Sequence, residues 1–327
     1  MELDIVGFRM YATSTQKRYW TFTADELETR RNALNQAYID RHRPFLDSED
    51  QLSMFLNPEE EKLFCRVVAD TGIKFGKEFK PELPPAVRWT ALMYYKRFYL
   101  KTTPLEYTPK SVMMTCHFLA AKVDEFNIRT EQFVRNLKNG EPDKNAELIL
   151  RTEPKLMEYL DFQLTVHAPF RAFEGHLIEM KTRLPLIDFD LEQVRKPAME
   201  FFDMALAGDA MLMYAPTHIA LAGLKYGLDK LSKSPDLLND FLYKFLDLDP
   251  WNSKEEEKQQ VMKLLKKIES VTTVVIEQSA PVIPQMMTIL QDKVKTWNAF
   301  LTTKLEPKMR AAPETPAGSG VMSDDSD

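Results

Sequence analysis

Glycine is in short supply: the 327-residue chain contains only 10. Such a composition argues against sandwiches, barrels and glycine-loop nucleotide folds, and favours helices. Cysteine is scarcer still, at two. Cys65 and Cys116 stand apart among apolar neighbours, without zinc spacing or a disulfide framework, so they read as reduced core thiols of an intracellular protein. The five histidines, at 42, 117, 167, 176 and 218, share no ligand spacing, and His117, in an apolar helix, is expected to be a satisfied interior side chain. No GxSxG, Walker or GxGxxG element occurs, and no catalytic constellation emerges. No segment approaches the roughly 18 consecutive apolar residues of a membrane helix. The N-terminal MELDIVGFRM is acidic and lacks the apolar stretch of a secretory signal, so a cytoplasmic or nuclear protein is expected. Basic charge is also lacking: the net charge of −6 offers nucleic acid no bulk attraction and leaves only a local basic face to consider.

What remains is a globular balance of 44% apolar and 28% charged residues, in a chain long enough for two domains. Helix starts recur along it. Thr23-Ala-Asp-Glu26 is a capping box, with Phe22 and Leu27 placed as its hydrophobic staple. Asn57-Pro58-Glu-Glu60 has a cap residue, a proline at the first helical position and a glutamate at the third. Thr108-Pro109, Ser234-Pro235-Asp236 and Ser253-Lys-Glu-Glu256 repeat the signal. Between these starts apolar residues recur at helical spacing, as in Leu63, Val67, Val68 and in Val112, Met113, Cys116, and alternating strand patterns are nearly absent. The fold class is all-α.

The chain also repeats itself. At an offset of 107 positions, Leu105-Glu-Tyr107-Thr-Pro109 falls on Leu212-Met-Tyr214-Ala-Pro216 without a gap. Each proline is followed by an apolar helix rich in small residues, KSVMMTCHFLAAK in one half and THIALAGLKYGLD in the other. Small residues let helices approach closely, so this helix is expected at the centre of each half. Five helices per module are predicted, at 58–75, 84–101, 109–123, 130–138 and 144–162, then at 170–183, 191–207, 216–228, 235–246 and 254–277. A further helix at 24–40 precedes them and another at 285–304 follows. Residues 307–327, with three prolines and the finish SDDSD, read as a disordered acidic tail.

Two five-helix modules, with YYKRFYL closing a second helix, LEYTPKSVMMTCHFLAAKVDEFN covering a third and YLDFQLTVHAPFRAFEGHLIEMKTRLP crossing between modules, resemble the cyclin family. STQKRYWTF at 14–22 and KTRLP at 181–185 resemble the branch that regulates the kinase of general transcription factor IIH, and the likeness runs from Tyr11 to Thr273. It implies two tandem cyclin boxes, 51–163 and 164–280, between an N-terminal arm and helix (1–50) and a C-terminal helix (281–306). It further implies a nuclear regulatory subunit rather than an enzyme, without cofactor or metal. The implied partners are a cyclin-dependent kinase, a RING-finger assembly factor and the core of transcription factor IIH, with neither nucleic acid nor membrane bound directly. The activated kinase would phosphorylate the RNA polymerase II tail and the activation loops of other cyclin-dependent kinases.

The resemblance also assigns a site. Lys122 matches the lysine that cyclins keep at the end of the third helix, and Glu153 matches its glutamate partner on the fifth. Leu119, Val123, Met157, Phe162 and Leu164 match positions that line the apolar contact with the kinase αC helix. Read alone, a lysine in the last turn of a helix is ordinary and suits the helix dipole, and the apolar residues would be core. Pro154 departs from the pattern: it should either kink the helix or start a new one capped by Thr152.

Other features are secondary. Gln16-Lys17-Arg18-Tyr19-Trp20 reads as an ordered arm packing Tyr19 or Trp20 against a module or the kinase. Lys263, Lys266 and Lys267 resemble a nuclear signal and equally suit the solvent side of a helix. Thr13, Ser14, Thr15, Ser323 and Ser326 are candidate phosphorylation sites. A nucleic-acid clamp like the transcription factor IIB family would need a basic surface and usually a zinc ribbon; the third class is a scaffold that activates no kinase.

Overall fold

A computed structural model describes residues 10–233, 235–249 and 251–311. Among the described residues there is no strand. The N-terminal arm holds α1 (Thr15–Tyr19), and α2 (Ala24–His42) follows. The first module comprises α3 (Pro58–Glu78), α4 (Pro85–Phe98), α5 (Pro109–Val123), α6 (Thr130–Val134) and α7 (Pro142–Tyr159). The second comprises α8 (Phe170–Arg183), α9 (Glu192–Ala207), the short α10 (Ala210–Met213), α11 (Pro216–Lys230), α12 (Pro235–Phe245) and α13 (Glu255–Gln278). Last come α14 (Pro284–Phe300), a π turn (Leu301–Leu305) and α15 (Glu306–Ala311). The chain is thus helical as far as Ala311, past the expected limit at 306; the rest of the expected tail, with Ser323 and Ser326, lies outside the described residues.

Local chemistry explains the starts. Thr23 accepts from the Glu26 amide while the Glu26 carboxylate accepts from the Thr23 amide, and Asn57 and Glu60 do the same for α3. The repeat is visible in the boundaries: α4 and α9 begin at Pro85 and Glu192, α5 and α11 span Pro109–Val123 and Pro216–Lys230, all at the offset relating Tyr107 to Tyr214. As expected, α5 and α11 are the module centres. Every side chain from Val112 to Ala121 is buried. A Cβ on Gly223 would lie 2.5 Å from a Phe202 ring carbon, and one on Gly227 2.9 Å from the Val194 carbonyl oxygen, so glycine is what lets α9 approach α11. His117 is buried, with Nδ1 at 3.0 Å from the Met113 carbonyl. Burial pushes its pKa down to about 4, so it is neutral.

With so few glycines, helices end on other residues. Glu125 and Ser232, equivalent across the repeat, take φ of 56° and 53°. The next amides, of Phe126 and Lys233, reach back to the Ala121 and Leu228 carbonyls at 2.8 and 3.0 Å. A side chain in that left-handed region costs about 1–2 kcal/mol. Ser232→Gly should therefore raise stability by about 1 kcal/mol, read as a higher urea midpoint at unchanged slope. A lower midpoint would show that the serine serves the fold in another way.

Pro154 does not start a new helix: α7 runs through it. The Leu150 carbonyl that loses its amide partner belongs to an exposed residue. Pro197 is accommodated inside α9 in the same way, above exposed Gln193.

The terminal helices share a core of their own. Trp297 of α14 is fully buried against Tyr38 and His42 of α2 and against Phe55, its ring centroid 4.1 Å from that of Phe55, and its indole N–H donates to the Tyr38 hydroxyl at 3.3 Å. Lys293 pairs with Glu60 at 2.7 Å and Lys308 with Asp47 at 2.5 Å. Nearer the start of α2, Arg31 grips Asp209 of the second module with two bonds of 2.8 Å. Burial alone would raise the Asp209 carboxyl; Arg31, with Lys96 and Lys62 nearby, outweighs it and holds the pKa at about 2.

Candidate functional site

The first-module site forms where the end of α5 meets the last turns of α7. Lys122 Nζ lies 2.6 Å from Glu153 Oε1, with 46% of the lysine side chain exposed and 11% of the glutamate. The glutamate thus points at Lys122 even though Pro154 follows it. The ammonium also sits 5.2 Å from the centre of the Phe118 ring. Glu153 Oε1, although close, has no aligned hydrogen-bond donor among the described residues. A half-exposed pair of this kind adds about 0–1 kcal/mol to the stability of the chain. With 46% of its side chain exposed, the lysine can still offer N–H groups to another acceptor.

Beyond α7 the backbone turns sharply. Asp161 and Phe162 both lie in the left-handed region, at φ of 52° and 56°, and the Phe162 amide closes the helix on the Met157 carbonyl at 2.9 Å. Two successive non-glycine residues there store strain, which must be held from outside. Arg97 Nη1 donates to the Gln163 carbonyl at 3.0 Å, and the Tyr94 hydroxyl to the Leu164 carbonyl at 2.5 Å. Lys101 pairs with Asp161 at 2.5 Å. Arg97 is fully buried, and burial pulls its pKa down to about 10. Its guanidinium lies over the face of Trp20, 5.1 Å away, while Nε and Nη2 have no hydrogen-bond partner among the described residues.

The N-terminal arm completes this clamp. Trp20, 1% exposed, donates its indole N–H to Gln163 Oε1 at 2.7 Å, while Gln16 accepts from the His167 amide at 2.7 Å. Of the two aromatic residues expected to anchor the arm, Trp20 does so and Tyr19 stays 49% exposed. Ser14 caps α1, accepting from the Lys17 amide and donating to the Tyr11 carbonyl.

The apolar residues assigned by resemblance divide. Phe162 is 67% exposed, pushed outward by the turn. Val123, Met157 and Leu164 are half-buried around it and the ion pair. Leu119 is different: at 3% exposure it belongs to the core. Arg97, Tyr94 and Gln163, which hold this turn, are positions that the sequence did not single out. The one signal it held was an arginine within the otherwise apolar and aromatic run of YYKRFYL. Lys263, Lys266 and Lys267 lie on the exposed face of α13. Among the described residues no cluster of His, Cys, Asp and Glu could hold a metal ion, and no helix is long and apolar enough to cross a membrane.

Comparison with known proteins bears on family and fold. The family model "Cyclin, N-terminal domain" matches residues 73–165 and "Cyclin C-terminal domain" matches 168–276. Cyclin-H of Xenopus laevis is 42% identical over 218 residues, covering 66% of this chain and 67% of its own. A chain of the CAK complex of Chaetomium thermophilum bound to ATP-gamma-S aligns at TM-score 0.75 and 21% identity, covering 99% of each chain. A chain of the yeast TFIIK (Kin28/Ccl1/Tfb3) complex aligns at TM-score 0.63 and 24% identity, over 81% of this chain and all of the other. At such identities these two likenesses speak for the fold alone.

Proposed function

Because the chain belongs to the cyclin family, on its cyclin-H side, we propose that it is the regulatory, non-enzymatic subunit of a cyclin-dependent kinase in a CDK-activating complex. The kinase is of the type that phosphorylates the RNA polymerase II tail, and the same complex would act on the activation loops of other cyclin-dependent kinases. The yeast assembly named above contains Kin28, Ccl1 and Tfb3. By that composition the partners are a kinase and a RING-finger assembly factor, with the core of transcription factor IIH beyond them. A nuclear location follows from the polymerase substrate. The working limits of the two cyclin boxes are 51–163 and 164–280.

The observation that carries the reading is the Lys122–Glu153 pair beside an exposed Phe162 and the half-buried Val123, Met157 and Leu164. An amphipathic helix laid across this surface would bury the apolar residues, and the pair would fix its register by charge-assisted hydrogen bonds to backbone groups. Holding the kinase αC helix inward lets the kinase assemble its own lysine–glutamate pair and metal site. The direct test adds the full chain to the isolated catalytic subunit and follows phosphate transfer to a polymerase-tail peptide. Activity should rise strongly; a tight complex without activation would mark a scaffold.

Met157→Asp tests the surface itself. Met157 is only half-buried, so a carboxylate there should leave helicity and unfolding temperature nearly unchanged. It should weaken the kinase complex by about 2 kcal/mol or more, measured by calorimetric titration. Loss of the fold would place Met157 in the core.

A further inference from the structure

A cavity of ≈ 510 Å³ lies away from this surface, where the two modules meet the terminal helices. Its walls are α2, α3, α4, the turn Ala207–Asp209 and the segment from Glu277 to Met286 that leads into α14. The volume is that of small-molecule sites, about 300–1,000 Å³. Leu34, Cys65, Tyr99 and Met286 supply apolar wall.

The polar lining is unequal. Arg31 is committed to Asp209, Arg66 to Asp70 at 2.8 Å and to the Gln278 carbonyl, and Lys96 turns to the Ala207 carbonyl at 3.4 Å. Glu61 is 8% exposed, and its Oε1 has no hydrogen-bond partner and no ion pair among the described residues. Its neighbour Asn35 gives its side-chain amide to the Leu56 carbonyl at 2.8 Å. Burial pushes the Glu61 carboxyl up to about 7, against a smaller opposing hydrogen bond from Asn35. A buried carboxyl oxygen left without a donor at the wall of a cavity is costly unless something enters to meet it.

We infer that this cavity binds a small, mainly apolar organic amine, with its ammonium group on Glu61 and its hydrocarbon part between Leu34, Cys65 and Met286. Such a ligand replaces the missing donor with a charge-assisted one and fills apolar space at the same time. It would also join the two modules to α14, so binding raises the unfolding temperature of the chain. The inference stands independently of the kinase reading.

Phenethylamine and 3-phenylpropionate share a ring and differ in charge, and serve as probes. Each is titrated at pH 8 into the full chain while the methyl resonances of Met286 and Ile283 are followed. Phenethylamine should shift both saturably and 3-phenylpropionate should not. Glu61→Gln should weaken the amine at least tenfold, and its unfolding temperature should stay close to that of the unaltered chain because the amide keeps the shape of the side chain and an oxygen for Asn35. Leu34→Trp, which fills the cavity, should abolish the shifts. Equal binding of amine and acid, or full-strength amine binding by Glu61→Gln, would refute the assignment. Shifts produced by a lysine-containing peptide but not by the small amine would make the occupant a protein segment, and the proposal would fail.

Discussion

Lys122→Ala should leave the chain folded and cost the kinase complex about 2–5 kcal/mol of binding, a loss of roughly 30-fold to several thousand-fold in affinity. The two halves of this expectation have separate causes. Within the chain, the half-exposed ammonium contributes little, since a pair of this exposure is worth no more than about 1 kcal/mol. In the complex, a kinase helix would cover the pair and remove its water, and an acceptor that lost Lys122 would then lie buried without a donor. Calorimetric titration with the kinase measures the second effect and thermal unfolding of the free chain the first. Unchanged affinity would remove the groove assignment, and an unfolded variant would make Lys122 a structural residue.

Trp297→Ala carries the largest expected effect on stability, about 3–5 kcal/mol. The indole is fully buried and touches Tyr38, His42, Phe55 and Phe300. Its removal empties the centre of the terminal core and takes a hydrogen bond from Tyr38. The loss falls on α2 and α14 first, because their cluster is separate from the core that joins the two modules. Denaturant unfolding should show the shift, and limited proteolysis should cut after residue 280 sooner in the variant. A cost below about 1 kcal/mol would mean that the cluster collapses around the gap.

Features controlled by near neighbours along the chain are legible in the amino-acid sequence. The boxes at Thr23 and Asn57 depend on groups three residues apart, and both form as expected. The duplication is readable because proline, tyrosine and small residues have fixed local duties, and α5 and α11 keep the same offset in space. Resemblance supplies the pairing of Lys122 with Glu153, which no local rule contains. Sequence does not separate buried Leu119 from half-buried Val123, because the two share a face of one helix and only the depth of α7 against α5 decides which is covered. The roles of Arg97 and Trp20 depend on contacts with Gln163, more than sixty positions away in each case. The docking of α14 on α2 is longer in range still. Helix ends differ from expectation where capping is weak: the element placed at 130–138 is only Thr130–Val134, and that placed at 144–162 stops at Tyr159.

The arm at residues 16–22 works as a splint across a joint. It bonds to Gln163 and His167 where one half passes into the other, and the amide of Phe22 reaches the Leu212 carbonyl at 2.8 Å on the far half. The posture of Phe162 is therefore set partly by a stretch of chain well over a hundred positions earlier. Damage to the arm would surface as poor grip on a partner, and would be mistaken for a defect in the gripping surface.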